Sequence, residues 1–242
     1  MIRIKVKSKL YPATEDALPR RVINDFRLAL KDNEFVCLVG PSGCGKTTLL
    51  NLVAGLDDDF DGEIRFDERE ENHKIGYVFQ NPRLLPWRTV RENIELALNE
   101  PAPSGAIDNL LEVMQLADFQ HVYPERLSLG MSRRVAIIRA FAINPDLLLM
   151  DEPFVSLDSA TAQQVRDLLI GLWQQRPHTV LFVTHDLREA IALADRIVFL
   201  TSAPMQTLNE VVVPFSRNER QNQQLIEQFR HDLLQTDGKP VT

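Results

Sequence analysis

Phe35-Val36-Cys37-Leu38-Val39 runs straight into Gly40-Pro41-Ser42-Gly43-Cys44-Gly45-Lys46-Thr47-Thr48 and then Leu49-Leu50-Asn51-Leu52-Val53, and this stretch decides the fold. Five apolar residues without polar alternation read as a strand covered on both faces. The loop after them fits G-x-x-x-x-G-K-[ST] and opens a helix, the strand–loop–helix context that a phosphate-binding loop requires. The glycines let backbone N–H groups turn inward around an anion, and the following helix adds the positive end of its dipole. Lys46 supplies a point charge to the β- and γ-phosphates of a nucleotide, and the Thr47 hydroxyl can complete a Mg²⁺ shell. Gly40 to Thr48 are therefore the first candidate ligand residues, with a purely structural Gly-rich turn as the alternative.

Outward from the loop, short apolar runs bounded by turn residues predict strands at 2–7, 22–30, 35–39, 63–66, 75–79, 147–150, 180–183 and 197–200. Helical spacing falls at 46–55, 90–98, 106–116, 130–143, 159–175 and 187–194. Such alternation implies an α/β domain with a mostly parallel, helix-covered sheet, and the early strands suggest a smaller antiparallel part. Between Phe79 and Leu147 the chain looks helical throughout, broken at PAPSG (101–105). The expected organisation is one domain: an α/β core at 1–81 and 143–214, an inserted helical subdomain at 82–142 and a helical tail at 215–242. That tail carries Leu225, Ile226, Phe229 and Leu233 at helical spacing, a stripe for packing on the core or for a partner.

Composition narrows the function. The 242 residues carry a net charge of −7, so the chain lacks the Lys/Arg surplus of a general nucleic-acid binder. No apolar run reaches the roughly 18 residues of a membrane-spanning helix, and MIRIKVKSKL alternates like a strand instead of a signal peptide. A cytosolic protein is expected, with its two cysteines, Cys37 and Cys44, as reduced, buried thiols.

LLLMDEP at 147–153 is an apolar strand ending in two acids, which is costly without a cation nearby. Asp151 is placed to hold Mg²⁺ through its water shell, and Glu152 to orient or deprotonate an attacking water. A helix-capping acidic pair is the bland alternative.

Further motifs make the pattern specific. Leu127-Ser128-Leu129-Gly130-Met131 precedes the basic helix SRRVAIIRAFAI, Ser156-Leu157-Asp158 follows Glu152, Gln80 follows IGYVF, and His185 ends the strand in VTHD. In this order they resemble the LSGGQ signature, D-loop, Q-loop and switch histidine of ATP-binding cassette (ABC) ATPases, and the resemblance spans nearly the whole chain. It implies ATP and Mg²⁺ as ligands. Lys46, Gln80, Glu152 and His185 would be catalytic, Thr47, Gln80 and Asp151 would surround the metal, and Tyr11 would stack on adenine. It also implies a head-to-tail homodimer in which Ser128 and Gly130 of one copy complete the nucleotide site of the other, with Asp158 at the contact. Ser128 caps the helix that starts near Gly130, and a helix N-terminus is an anion site.

Three positions depart from the family pattern: Leu129 replaces a glycine, Arg133 stands where glutamine is usual, and Asn33 where glycine is common. If position 129 needs φ > 0, leucine there is strained. Leu84-Leu85-Pro86-Trp87 crowds apolar side chains after Gln80, either to anchor the subdomain or to form a groove for another protein's helix. This segment, LSLGMxRR and VTHDLREAIALADRIVFL resemble importer ATPases for nitrate, sulfonates and taurine. That implies two membrane-spanning permease subunits, an extracytoplasmic binding protein reached indirectly, and a place at the cytoplasmic face of the membrane. A lipid-trafficking or export cassette is the alternative. A soluble nucleotide switch in DNA repair or translation is the remote one.

Overall fold

The computed structural model describes residues 1–13, 18–66, 73–98, 100, 103 and 105–236. They divide into two compact units, Met1–Glu70 with Thr179–Thr242, and Glu71–His178. The expected subdomain at 82–142 lies inside the second.

In the first unit, β1 (Ile2–Tyr11) pairs antiparallel with β2 (Arg20–Leu30) on one side and β4 (Asp61–Phe66) on the other. β3 (Phe35–Val39) is buried at every residue, between parallel β7 (Thr179–Thr184) and β8 (Arg196–Leu200). β9 (Thr207–Val212) adds an antiparallel edge to β8. Helices α1 (Lys46–Val53), α6 (Leu187–Leu193) and α7 (Gln223–Thr236) complete the unit. Ile2, Ile4 and Val6 face inward at period two, as the alternation predicts. The turn into β3 needs a left-handed residue, and Asn33 supplies it at φ 58°. Asparagine is among the few side chains that tolerate that region, which accounts for its standing in for glycine. Cys37 and Cys44 are buried and not joined in a disulfide, and burial pushes the Cys37 thiol upward.

In the second unit, β5 (Ile75–Val78) runs parallel to β6 (Leu147–Asp151). Its helices are α2 (Val90–Glu95), α3 (Ala106–Val113), α4 (Leu129–Ala142) and α5 (Ser159–Gln175). Among the described residues, the region read as helical carries α2, α3 and α4 where the spacing marks them, with turns between. Thr89 starts α2 with a capping box to Glu92, Gln115 turns left-handed at φ 55° after α3, and Pro124 opens a 3₁₀ turn. Of the PAPSG break, residues 101, 102 and 104 lie outside the described residues.

The tail stripe packs at home: Leu233 is buried, and Phe229 meets Phe215 edge-on at 5.2 Å. Residues 237–242 of the expected tail lie outside the described residues.

Candidate functional site

The phosphate loop belongs to the first unit. Gly43 and Gly45 adopt φ of 75° and 118°, and a Cβ at Gly45 would come 2.6 Å from Val22 Cγ1. Only glycine fits both the left-handed turn and that approach. Lys46 is buried, and its Nζ donates to the carbonyls of Gly40 at 2.8 Å and Pro41 at 3.0 Å, so the cation curls back over its own loop. Among the described residues no side chain caps the first turn of α1 and no acid stands in that turn, which leaves its amides suited to an anion. The cradle thus fits the phosphates of a nucleotide. Ser42 and Thr47 are exposed, and Thr48 Oγ1 lies 3.4 Å from the Tyr11 hydroxyl. Tyr11, at the end of β1, is 41% exposed and so presents a ring to solvent. Val39 stands opposite Thr184 in the parallel pair of β3 and β7, so Gly40 and His185 leave adjacent strands at the same level. His185 is exposed there.

Two residues of this half escape a reading from sequence. Lys9 is only 2% exposed, donates to Asp57 Oδ1 at 2.9 Å and the Asp59 carbonyl at 2.6 Å, and sits 4.9 Å from the Tyr11 ring centroid. It steadies the ring by a cation–π contact. Irregular pairing on both sides of β1 shifts its faces near residues 6–10, so simple alternation does not mark position 9 as inward. Arg20 donates to the Gly43 carbonyl at 3.2 Å and braces the loop from β2.

The carboxylates and the signature belong to the second unit. Val78 pairs with Met150, so Gln80 and Glu152, each two residues further, emerge from the same end of β5 and β6. Gln80 is exposed, Asp151 is buried, and Glu152 is half-buried with a left-handed φ of 44°. That backbone costs a β-carbon-bearing residue on the order of 1–2 kcal/mol, strain of the kind that gathers where a side chain must point one way. Tyr77 on β5 has its phenol pushed up, by burial first and by the charge of Asp151 second.

Ser128 caps α4, accepting from the Met131 amide at 3.2 Å. Leu129 is the first residue of that helix and is 43% exposed; its φ is not left-handed, so the conditional strain does not arise. Gly130 is buried against α5, where an added Cβ would meet Thr161 Cγ2 at 2.6 Å. Asp158 caps α5, accepting from the amides of Ala160 and Thr161 and from the Thr161 hydroxyl at 2.6 Å. The hydroxyl and these amides hold its carboxyl below the usual range.

The apolar loop after Gln80 is pinned from beneath. Buried Asn93 accepts from the Leu85 amide at 2.7 Å and donates to the carbonyls of Leu85, Arg88 and Thr89. Leu84 and Leu85 are half-buried, while Trp87 is 68% exposed, which is more than an internal anchor requires. Among the described residues no three His, Cys, Asp or Glu side chains gather as a metal cluster. A Mg²⁺ held by one hydroxyl, one carboxylate, phosphate oxygens and water needs none.

Comparison with known proteins gives concordant results. The family model described as ABC transporter matches residues 23–155. The chain is 40% identical to the nitrate import ATP-binding protein NrtD of Synechococcus elongatus over 91% of its own length and 84% of the relative's. It is 41% identical to the aliphatic sulfonates import ATP-binding protein SsuB of Bacillus anthracis, over 89% and 92%. It is 37% identical to the bicarbonate transport ATP-binding protein CmpD of Synechocystis, over 89% and 80%. Among solved structures, the dimeric bacterial ABC transporter cassette MJ0796 superposes with a TM-score of 0.75 at 33% identity, covering 89% of this chain and all of that one. The same cassette is also known as a dimer in a post-hydrolysis state bound to ADP and Pi, at 31% identity, with the same TM-score and coverage.

Proposed function

The chain belongs to the ABC transporter family, and from that footing we propose that it is the ATP-hydrolysing subunit of an importer for a small anion. What carries the reading is the agreement of the relatives, which span about nine tenths of this chain and are import or transport ATP-binding proteins named for nitrate, aliphatic sulfonates and bicarbonate. All three are small anions.

Each half of the site has a chemical task. Lys46 and the backbone N–H groups of the loop from Ser42 to Thr48 bind the phosphates, with Gly40 and Pro41 shaping its entry, and Tyr11 stacks on the adenine. Thr47, Gln80 and Asp151 would hold Mg²⁺, which neutralises phosphate charge when bound. Glu152 orients the attacking water and accepts its proton, and His185 contacts the γ-phosphate. Ser128 and Gly130 act in trans on the nucleotide of a head-to-tail twin, supplying a helix N-terminus as a fixed positive end, and Asp158 lies at the subunit contact.

The coupling is a population shift: ATP prefers the closed pair, closure reorients two separate permease subunits, and hydrolysis resets both. Among the described residues no helix is long and apolar enough to cross a membrane, so in this scheme the permeases provide attachment at the cytoplasmic face. The exposed Trp87 on its pinned loop is the contact offered to them. An extracytoplasmic binding protein selects the cargo.

The test is to purify the chain with its permeases from membranes and assay ATP hydrolysis in proteoliposomes. A binding protein loaded with nitrate, bicarbonate or an alkanesulfonate should stimulate turnover severalfold. Stimulation by lipid substrates, with none by any small anion, assigns the chain to a lipid-trafficking or export system instead.

A further inference from the structure

The signature helix reaches back to the segment that carries Gln80. From α4, the guanidinium of Arg133 donates to the carbonyls of Phe79 and Gln80 through one nitrogen and to the Val155 carbonyl at 3.3 Å through another. Six residues along, roughly 9 Å further up the helix, Arg139 donates to the carbonyls of Pro82 at 2.7 Å and Arg83 at 3.0 Å. Four of the five carbonyls from 79 to 83 therefore end on two side chains of one helix.

The loop is set for this grip by its own geometry. Arg83 is left-handed at φ 48°, its amide is turned toward Asn81 Oδ1 at 3.3 Å, and its guanidinium lies 4.0 Å over the Phe79 ring. Phe79 in turn stacks on Tyr77 at 3.9 Å.

Arg133 is 4% exposed, and its hydrogen bonds go to neutral carbonyl dipoles. Burying a guanidinium this way is costly, and an apolar side chain would fill the space at less expense. What the guanidinium adds is a planar set of donors on separate nitrogens that can hold two different segments at once. Val155 lies between Glu152 and Asp158, so a single group spans the chain leaving β5 and the chain leaving β6.

We infer that Arg133 and Arg139 are positioning residues that clamp the backbone of 79–83 to the signature helix, so that displacement of Ser128 and Gly130 on nucleotide engagement is transmitted to Gln80, to Val155 and onward to the loop bearing Trp87. This deepens the reading above and rests on it. Neither arginine touches nucleotide in this scheme; both act through the groups they hold.

The experiment uses the full chain, carrying Trp173→Phe so that Trp87 is the remaining tryptophan. Arg133→Met should lower kcat for ATP at least tenfold while KM stays within twofold, and should abolish the ATP-induced change in Trp87 emission. Arg133→Lys, which keeps a donor, should recover kcat to within about threefold of the parent. Unchanged kcat with an intact Trp87 response in Arg133→Met overturns the clamp. So does a Lys variant as impaired as the Met variant.

Should Arg133→Met not fold, Arg133→Lys and Arg139→Lys carry the test by hydrogen exchange. Amides 80–88 should exchange faster than in the parent while amides 42–48 do not; equal change in both segments overturns the proposal. A parent chain that never hydrolyses ATP sinks the transporter reading, whereas an active parent with indifferent variants sinks the clamp alone.

Discussion

Gly130 and Thr161 are in contact at the limit of what backbone permits: a β-carbon on the glycine would sit 2.6 Å from Thr161 Cγ2. Thr161 cannot swing aside freely, because its hydroxyl is bonded to Asp158 Oδ2 at 2.6 Å. The second glycine of the signature is thus a packing requirement between α4 and α5, while the first position, at the exposed start of α4, accepts leucine. Gly130→Ala should destabilise the chain by about 1–3 kcal/mol, the usual cost of overpacking. Thr161→Ser removes the offending methyl and keeps the hydroxyl, so the double variant should regain most of the loss. Thermal or urea unfolding of the two variants measures this, and a double variant no more stable than Gly130→Ala contradicts the contact.

Glu152 holds its carboxylate on a left-handed backbone one residue beyond buried Asp151. Glu152→Gln keeps the shape and hydrogen-bonding reach but cannot accept a proton. Hydrolysis should fall by roughly 10²- to 10⁴-fold, the range for losing a general base. ATP binding should persist, so the variant should accumulate as an ATP-dependent dimer visible by size-exclusion chromatography or light scattering. Normal turnover in this variant rejects Glu152 as the base.

Much of this arrangement is legible in the sequence. The β3–loop–α1 unit declares itself because buried parallel strands are uniformly apolar and phosphate loops need glycine at fixed offsets; α5 begins and ends where its spacing predicts. No apolar run marks β9, because Thr207–Val212 is a mostly exposed edge strand with Asn209 and Glu210 in its middle. β1 runs four residues past its expected end, since Lys9 is buried on partners some fifty positions away. The hold of Arg133 and Arg139 on residues 79–83 was equally hidden. An arginine on a helix reads as solvated, and its partners are backbone carbonyls, which no side-chain pattern reports.

Glu34 and Arg196 tie β3 to β8 through a fork of hydrogen bonds at 2.9 and 3.0 Å, in a site where both side chains are mostly buried. The Glu34 carboxyl is held below its usual range: burial alone would raise it, but the bonds from Arg196 and the Lys31 amide outweigh that. A depressed folded-state pKa contributes stability above the unfolded value and loses it as pH falls through the folded one. Glu34→Gln should therefore cost about 1.5–3 kcal/mol at pH 7, the range for a hydrogen bond to a charged group. The gap to the parent should narrow as the pH drops below about 4. Parallel urea titrations at pH 7 and at acid pH test this; a gap that does not change with pH removes the charge from the explanation.

Trp87 is the large side chain that the fixed loop leaves in solvent, at 68% exposure, over an Asn93 that bonds the Leu85 amide and three carbonyls. A rigid aromatic on a pre-set backbone is the kind of group that dominates binding between proteins, because little ordering entropy is lost when it is covered. Trp87→Ala should therefore spare ATP affinity in the isolated chain, within about twofold, while weakening recovery of the chain with its permeases by tenfold or more, equivalent to at least about 1.4 kcal/mol. Asn93→Ala should weaken recovery too, but by a different route. It leaves Trp87 in place and frees the loop beneath it, so its unfolding midpoint should fall where that of Trp87→Ala does not. Pull-down from solubilised membranes beside thermal unfolding of both variants separates the two effects. Undiminished recovery of Trp87→Ala would return that residue to the role of an ornament on the subdomain surface and move the permease contact elsewhere.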